Sequence, residues 1–163
     1  MESGPENPRL FSYPVRVRYA DVDQMGVAYH SRYLEWFEAA RTEMLREMGI
    51  PYKELEVQGF LLPVIEVSCS YRIPARYDEM VEVRTTLAEV SRLKISLAYE
   101  VWNPEKALLL ATGRTLHCFA DRNGKPRRAE PALIERLTPF LRGSLPEEAV
   151  HALKKGGTLE RQR

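Results

Sequence analysis

The sequence predicts an α+β fold in which an antiparallel sheet of about five strands wraps around one long helix. Three observations predict it. A period-two apolar pattern near the start gives way to a long stretch of helical period. Four further stretches of period two follow, with no second long helical stretch between them. Strands running on without alternating helices form an antiparallel sheet, not a doubly wound parallel one.

Residues 1–12 contain two prolines and a glycine and show no periodicity, so they read as a loose leader. From Pro14 to Ala20, Val15, Val17 and Tyr19 alternate with Arg16 and Arg18, the pattern of a half-buried strand. Asp21 to Tyr29 breaks that pattern with two aspartates and Gly26, and reads as a loop. From Ser31 to Met48, Tyr33, Trp36, Phe37, Ala40, Met44 and Met48 fall on one helical stripe. Ser31 is the expected N-cap, and Gly49 with Pro51 ends the helix. Tyr52 to Gly59 reads as a connector.

The remaining strands follow in order. Ile65, Val67, Cys69, Tyr71 and Ile73 share one face of the second, which Pro74 ends. Val81, Val83, Thr85 and Leu87 share a face of the third, and Leu93, Ile95, Leu97, Tyr99 and Val101 one of the fourth. A fifth runs from Ala107 to Ala120, followed by the turn Asp121-Arg122-Asn123-Gly124. Pro131 to Leu141 is expected to be a short helix. The body therefore spans residues 13–141, and 142–163 form a peripheral tail containing His151, Lys154 and Lys155. One sheet face covers the helix; the other needs a cover, which in a small domain points to oligomerisation.

Composition narrows the function. Lys and Arg number 24 against 23 Asp and Glu in 163 residues, a net charge of +1. This balance speaks against a nucleic-acid binder, which carries a basic stripe. No apolar run reaches the roughly 18 residues of a membrane span, and no secretory signal is seen. Cys69 and Cys118 are far apart, so a reducing cytoplasm is expected, with the thiols in core packing. His117 reads as structural.

The chemistry concentrates between Tyr19 and His30. A carboxylate, a glycine and a histidine cluster where a strand hands over to a helix. A helix start presents unpaired N–H groups and the positive end of its dipole, which can stabilise an oxyanion. Gly26 would let backbone approach a ligand. Asp23 is then a candidate nucleophile or general base. Plainer readings stand beside this: Asp21 and Asp23 as turn or capping residues, His30 held by backbone, Tyr19 as core. Metal-ligand spacing is missing, so no metal or other cofactor is expected.

The stretch Tyr19-x-Asp21-x-Asp23-x-x-Gly26-Val27-x-Tyr29-His30-x-x-Tyr33, with Phe37-Glu38-x-Ala40-Arg41-Thr42-Glu43, resembles the 4-hydroxybenzoyl-CoA thioesterase family. Within it the chain looks most like the YbgC-type acyl-CoA thioesterases associated with the Tol-Pal system. The resemblance implies a hotdog fold and hydrolysis of acyl-CoA thioesters. It makes Asp23 the catalytic aspartate and places His30 and Tyr19 beside it. It also implies that backbone around Gly26, Val27, Tyr29 and His30 polarises the thioester, and that the chain forms homodimers, paired into tetramers, with shared active sites. The small residues usual after the aspartate are replaced by Gln24 and Met25. Coenzyme A brings phosphates, for which Arg92, Lys94, Lys125, Arg127 and Arg128 are the candidates. Two alternatives are hydrolysis of esters on an acyl carrier protein and a non-catalytic scaffold that binds acyl thioesters.

Overall fold

Apolar periodicity and turn chemistry produce five strands and three helices among residues 10–141, which the computed structural model describes. Residues 1–9 of the leader and the whole expected tail, with His151, Lys154 and Lys155, lie outside the described residues. The order is β1 (Phe11–Arg16), α1 (Arg32–Glu47), α2 (Tyr52–Val57), β2 (Val64–Tyr71), β3 (Met80–Val90), β4 (Lys94–Asn103), β5 (Leu108–Cys118) and α3 (Pro131–Leu137). The strands form one antiparallel sheet in the order β1-β3-β4-β5-β2. The fold is α+β, as its sequence periods predict.

α1 buries Tyr33, Trp36, Phe37, Ala40, Met44 and Leu45 and packs on β1 and β3. Full burial of each large side chain stabilises by about 1.5–3 kcal/mol. Gly49 closes the helix: its N–H donates to the Arg46 carbonyl, and Ile50 N–H to that of Leu45. Ser31 holds the N-cap position in helical geometry, and its hydroxyl makes no capping bond. The expected connector contains the short helix α2. β1 begins at Phe11, which is buried, so the strand starts inside the expected leader.

β4 is central and buried on both faces. Ile95, Leu97, Tyr99 and Val101 point to the helix side; Ser96, Ala98 and Glu100 lie on the other. Leu93 precedes the strand and is exposed. The outer face covers itself with paired side chains. Arg84 Nε donates to Glu82 (2.8 Å) and its guanidinium lies 4.8 Å from the Trp102 ring centre. Trp102 Nε1 donates to Glu100 (2.5 Å), and Arg114 Nε to Ser96 Oγ (2.8 Å).

The expected buried face of β2 is a correction. Ile65, Val67, Tyr71 and Ile73 are all exposed, because β2 is an edge strand and α1 packs mainly over β1 and β3 toward the other edge. Period two reports a face ready for burial, not what covers it. Cys69 and Cys118 are free and half-buried, the former on this open flank. Among the described residues no helix is long and apolar enough to cross a membrane.

Candidate active site

The loop after β1 is a small hairpin. Val22 bridges to Ala28, Asp23 N–H donates to the Val27 carbonyl, and Tyr29 N–H to the Asp21 carbonyl (2.8 Å). Gly26 turns the tip at φ +74°, with its N–H on the Asp23 carbonyl. A Cβ added there would meet nothing within 4 Å. Its backbone angle calls for glycine, and the space beside it is open. Ala28 N–H on the Ala75 carbonyl and Tyr77 N–H on the Gly26 carbonyl tie the hairpin to residues 74–79.

Asp21 anchors the hairpin and is 1% exposed. Its carboxylate accepts the Arg18 N–H (2.8 Å) and two guanidinium contacts from Arg18, with Arg32 Nε 3.9 Å away. Burial alone would push this carboxyl up. The Arg18 hydrogen bonds and the Arg18 and Arg32 charges outweigh it and hold the group below its ordinary value. The turn-and-cap reading of Asp21 is therefore correct for this residue.

Asp23 is exposed. Its Oδ1 accepts Met25 N–H (2.8 Å) and Val27 N–H (3.4 Å), an Asx turn. Its Oδ2 has no partner among the described residues, so one oxygen is fixed by backbone and the other is open. Asp23 lines an open pocket of about 320 Å³ with Ala28, Tyr29, His30, Tyr33, Tyr71, Arg72 and Pro74. His30 presents two things there. Its ring lies 4.3 Å from that of Tyr29, and its backbone N–H has no acceptor among the described residues. The Tyr29 N–H is already donated to Asp21, which leaves His30 as the open amide of the pair. Tyr71 OH donates to the His30 carbonyl (2.7 Å), and Tyr33 OH accepts the Ala75 N–H (3.1 Å). Burial pushes both phenols up, so both stay protonated.

Not every expected residue joins the pocket. Tyr19 is neither core nor pocket: it sits in a 3-10 turn, 81% exposed, its ring edge-on to Tyr77 at 5.8 Å. The Asp21 ties bend the chain at Arg18 and turn Tyr19 off the strand alternation. Gly26 and Val27 shape the hairpin without lining the pocket, and Gln24 and Met25 point to solvent. Tyr71, Arg72 and Pro74 were missed. They lie more than forty positions from His30, and only sheet pairing brings them there.

The phosphate candidates separate into two groups. Arg92 Nε donates to the Ala129 carbonyl (2.9 Å), and Arg127 donates to Gly59 and covers the Phe60 ring at 4.0 Å. Both hold the chain's end segment in place. Lys94, Lys125 and Arg128 are exposed. Lys94 pairs with Cys118 and Tyr71 with Ala111, so this basic end lies about 23 Å along β5 from the pocket. The structural reading of His117 holds: it is fully buried and bonded at both ring nitrogens.

Known proteins share this sequence and shape. The chain is 34% identical over 126 residues to the putative acyl-CoA thioesterase YneP of Bacillus subtilis, covering 77% of this chain and 91% of that one. It is 32% identical to the acyl-CoA thioester hydrolase YbgC of Escherichia coli, covering 78% and 96%. The solved DHNA-CoA thioesterase of Staphylococcus aureus superposes with a TM-score of 0.75 at 30% identity, covering 92% and 97%. Residues 17–148 match the Thioesterase-like superfamily, and with a hotdog sheet carrying its hairpin at the entry to α1, the chain belongs to that superfamily.

Proposed function

We propose that this protein hydrolyses acyl-CoA thioesters in the pocket shared by Asp23 and His30. The carrying observation is the open pair of atoms: Asp23 Oδ2 and the His30 N–H, each without a partner among the described residues and belonging to residues that line one cavity. The names of its relatives support the same reaction.

The chemistry follows from these groups. The His30 N–H, at the positive entry to α1, donates to the thioester oxygen as charge develops on it. Asp23 either takes a proton from the attacking water or attacks the carbonyl carbon itself, and in the second case water then cleaves the acyl–Asp23 anhydride to free the acid. The C–S bond breaks, the acid is released and coenzyme A leaves as a thiol. A thiolate is a good leaving group, so no strong acid is required beside it.

A second copy completes the site in this reading. β1 is blunted as an edge by Pro14, whereas β2 is eight residues long, carries exposed Val64, Ile65, Val67 and Tyr71, and has no Pro or Lys. Two β2 strands pairing antiparallel about a two-fold set the Tyr71 end of one copy beside the Val64 end of the other. Val64 pairs with His117, so the partner's basic end, with Lys94, Lys125 and Arg128, comes to the pocket of the first copy. The nucleotide phosphates then meet residues that a single chain holds far away. Arg72 and Arg76, exposed beside the pocket, also suit an acidic carrier protein bearing the same thioester arm.

Release of free thiol from acyl-CoA esters of graded length tests the reaction, with acyl carrier protein esters in parallel. Turnover of the CoA esters supports the proposal. Turnover of carrier esters alone favours the second reading, and binding without thiol release contradicts both.

A further inference from the structure

A chain of hydrogen bonds crosses the interior and takes no part in the chemistry above. Arg41 Nη1 lies 3.3 Å from Tyr99 OH, Tyr99 OH 2.8 Å from Thr115 Oγ1, and Thr115 Oγ1 2.9 Å from His117 Nε2. His117 Nδ1 lies 3.0 Å from the Leu62 carbonyl. The hydrogens have one consistent arrangement. The carbonyl only accepts, so Nδ1 carries the proton. Burial pulls the His117 pKa down to about 4, so the ring is neutral and Nε2 accepts. Thr115 then donates to His117, Tyr99 donates to Thr115, and the Tyr99 oxygen accepts from Arg41. The chain ends on a half-buried guanidinium with further N–H groups to offer. Among the described residues no Asp or Glu pairs with Arg41.

Its position is informative. Tyr33, Phe37 and Arg41 follow at intervals of four along α1, so they share a face, and Arg41 lies about 12 Å beyond Tyr33. Helical side chains lean toward the N-terminus, here toward the pocket. Across from it, Thr115 pairs with Val67 and Gly113 with Cys69 on the uncovered flank of β2, where Val67 is 47% exposed. The uncovered flank of β2 runs from Tyr71, which lines the pocket, to Val67, whose strand partner Thr115 is two hydrogen bonds from Arg41.

Resting on the hydrolase reading above, we propose that Arg41 recognises the end of the acyl group, and that the preferred substrates are CoA esters of dicarboxylic acids, with a free carboxylate at the far end. A guanidinium fork matches a carboxylate in shape and charge. A methyl-ended chain would instead desolvate the cation without replacing its hydrogen bonds. The Tyr99–Thr115–His117 chain holds the guanidinium in place from behind.

The test compares chain-matched esters by thiol release: butanoyl- with succinyl-CoA, hexanoyl- with adipoyl-CoA, octanoyl- with suberoyl-CoA. In the wild type, kcat/KM for the carboxylate-ended member should exceed its match by about tenfold or more at one length, the worth of one charged hydrogen bond. Arg41→Met should abolish that preference, lowering kcat/KM for the carboxylate-ended member and raising it for the methyl-ended one, and Arg41→Lys should restore part of it. Each preference is a ratio within one preparation, so it does not depend on the fraction folded, and Arg41→Gln serves if the Met variant is unstable. A wild type preferring methyl ends at every length would overturn the proposal. So would an Arg41→Met variant that slows both members equally, which would make Arg41 a structural tie or a partner to a carboxylate of the second copy. If no ester releases thiol, the hydrolase reading itself has failed.

Discussion

At Asp23 the difference between a turn residue and a reactive one lies in a single carboxylate oxygen. Oδ1 closes the Asx turn and Oδ2 stays open, so the turn reading and the catalytic reading describe two ends of one side chain. The pattern Asp23-x-x-Gly26 carried both in the sequence. Tyr19 was not legible in the same way, because the Arg18–Asp21 bonds that turn it outward are a local competition that alternation does not register. In the proposed mechanism the donor at His30 is backbone, so His30→Ala keeps it. We expect a smaller fall in kcat than Asp23→Asn gives, measured on the same ester; a larger fall would give the ring a proton-transfer role. His117 sets a pH dependence of stability. Its folded pKa is about 4 against an ordinary 6.5, so the unfolded chain binds the proton first as pH falls. Its contribution is complete above pH 6.5 and is lost as pH falls to 4, by about 3 kcal/mol in all. Urea unfolding between pH 7 and 4.5 should show this decline, and His117→Gln should flatten it. An unchanged slope in that variant would assign the decline to other groups.

Among the elements, α1, β3 and β4 were legible because their periods are long and at least one face of each is buried within the chain. α2 was not, since six residues give too little period to read. β2 was legible as a strand but not as an edge, because strand order is a tertiary property. Contact between α1 and the sheet is tightest at Gly113, where an added Cβ would lie 2.4 Å from the Phe37 ring and 3.0 Å from the Ser68 carbonyl. Phe37 is itself stacked on Tyr99 at 4.3 Å and has nowhere to move. Gly113→Ala should therefore destabilise by about 1–3 kcal/mol in denaturant titration, as overpacking does. A neutral result would mean that α1 is free to shift on β5. The open edge gives a second expectation. Val67→Lys on β2 places a charge where the proposed partner strand pairs, and should shift the protein toward monomer in light scattering. A dimer that withstands it would place the interface elsewhere.

For the whole molecule, the sequence motif brought the hairpin and the helix entry into view. The pocket's far wall, from Tyr71 to Pro74, and the placing of the basic end were not visible, because both depend on which strands pair. If the phosphates are held across a dimer, charge reversal at Lys94, Lys125 or Arg128 should raise KM more than it lowers kcat, since that contact is equal in ground and transition states. Mixed dimers would extend the test: an Asp23→Asn copy should still supply its basic end to a partner with an intact Asp23. The central claim of the proposed mechanism is that thioester hydrolysis depends on the Asp23 carboxylate and the His30 amide meeting one substrate in a shared pocket. Its most direct measure is kcat for thiol release from the best acyl-CoA ester, in wild type and Asp23→Asn, with matching thermal unfolding to show an intact fold. Asparagine keeps the Oδ1 turn bonds and removes the charge, so we expect kcat to fall by about 10²-fold or more. A folded Asp23→Asn protein that turns over at the wild-type rate would contradict the account.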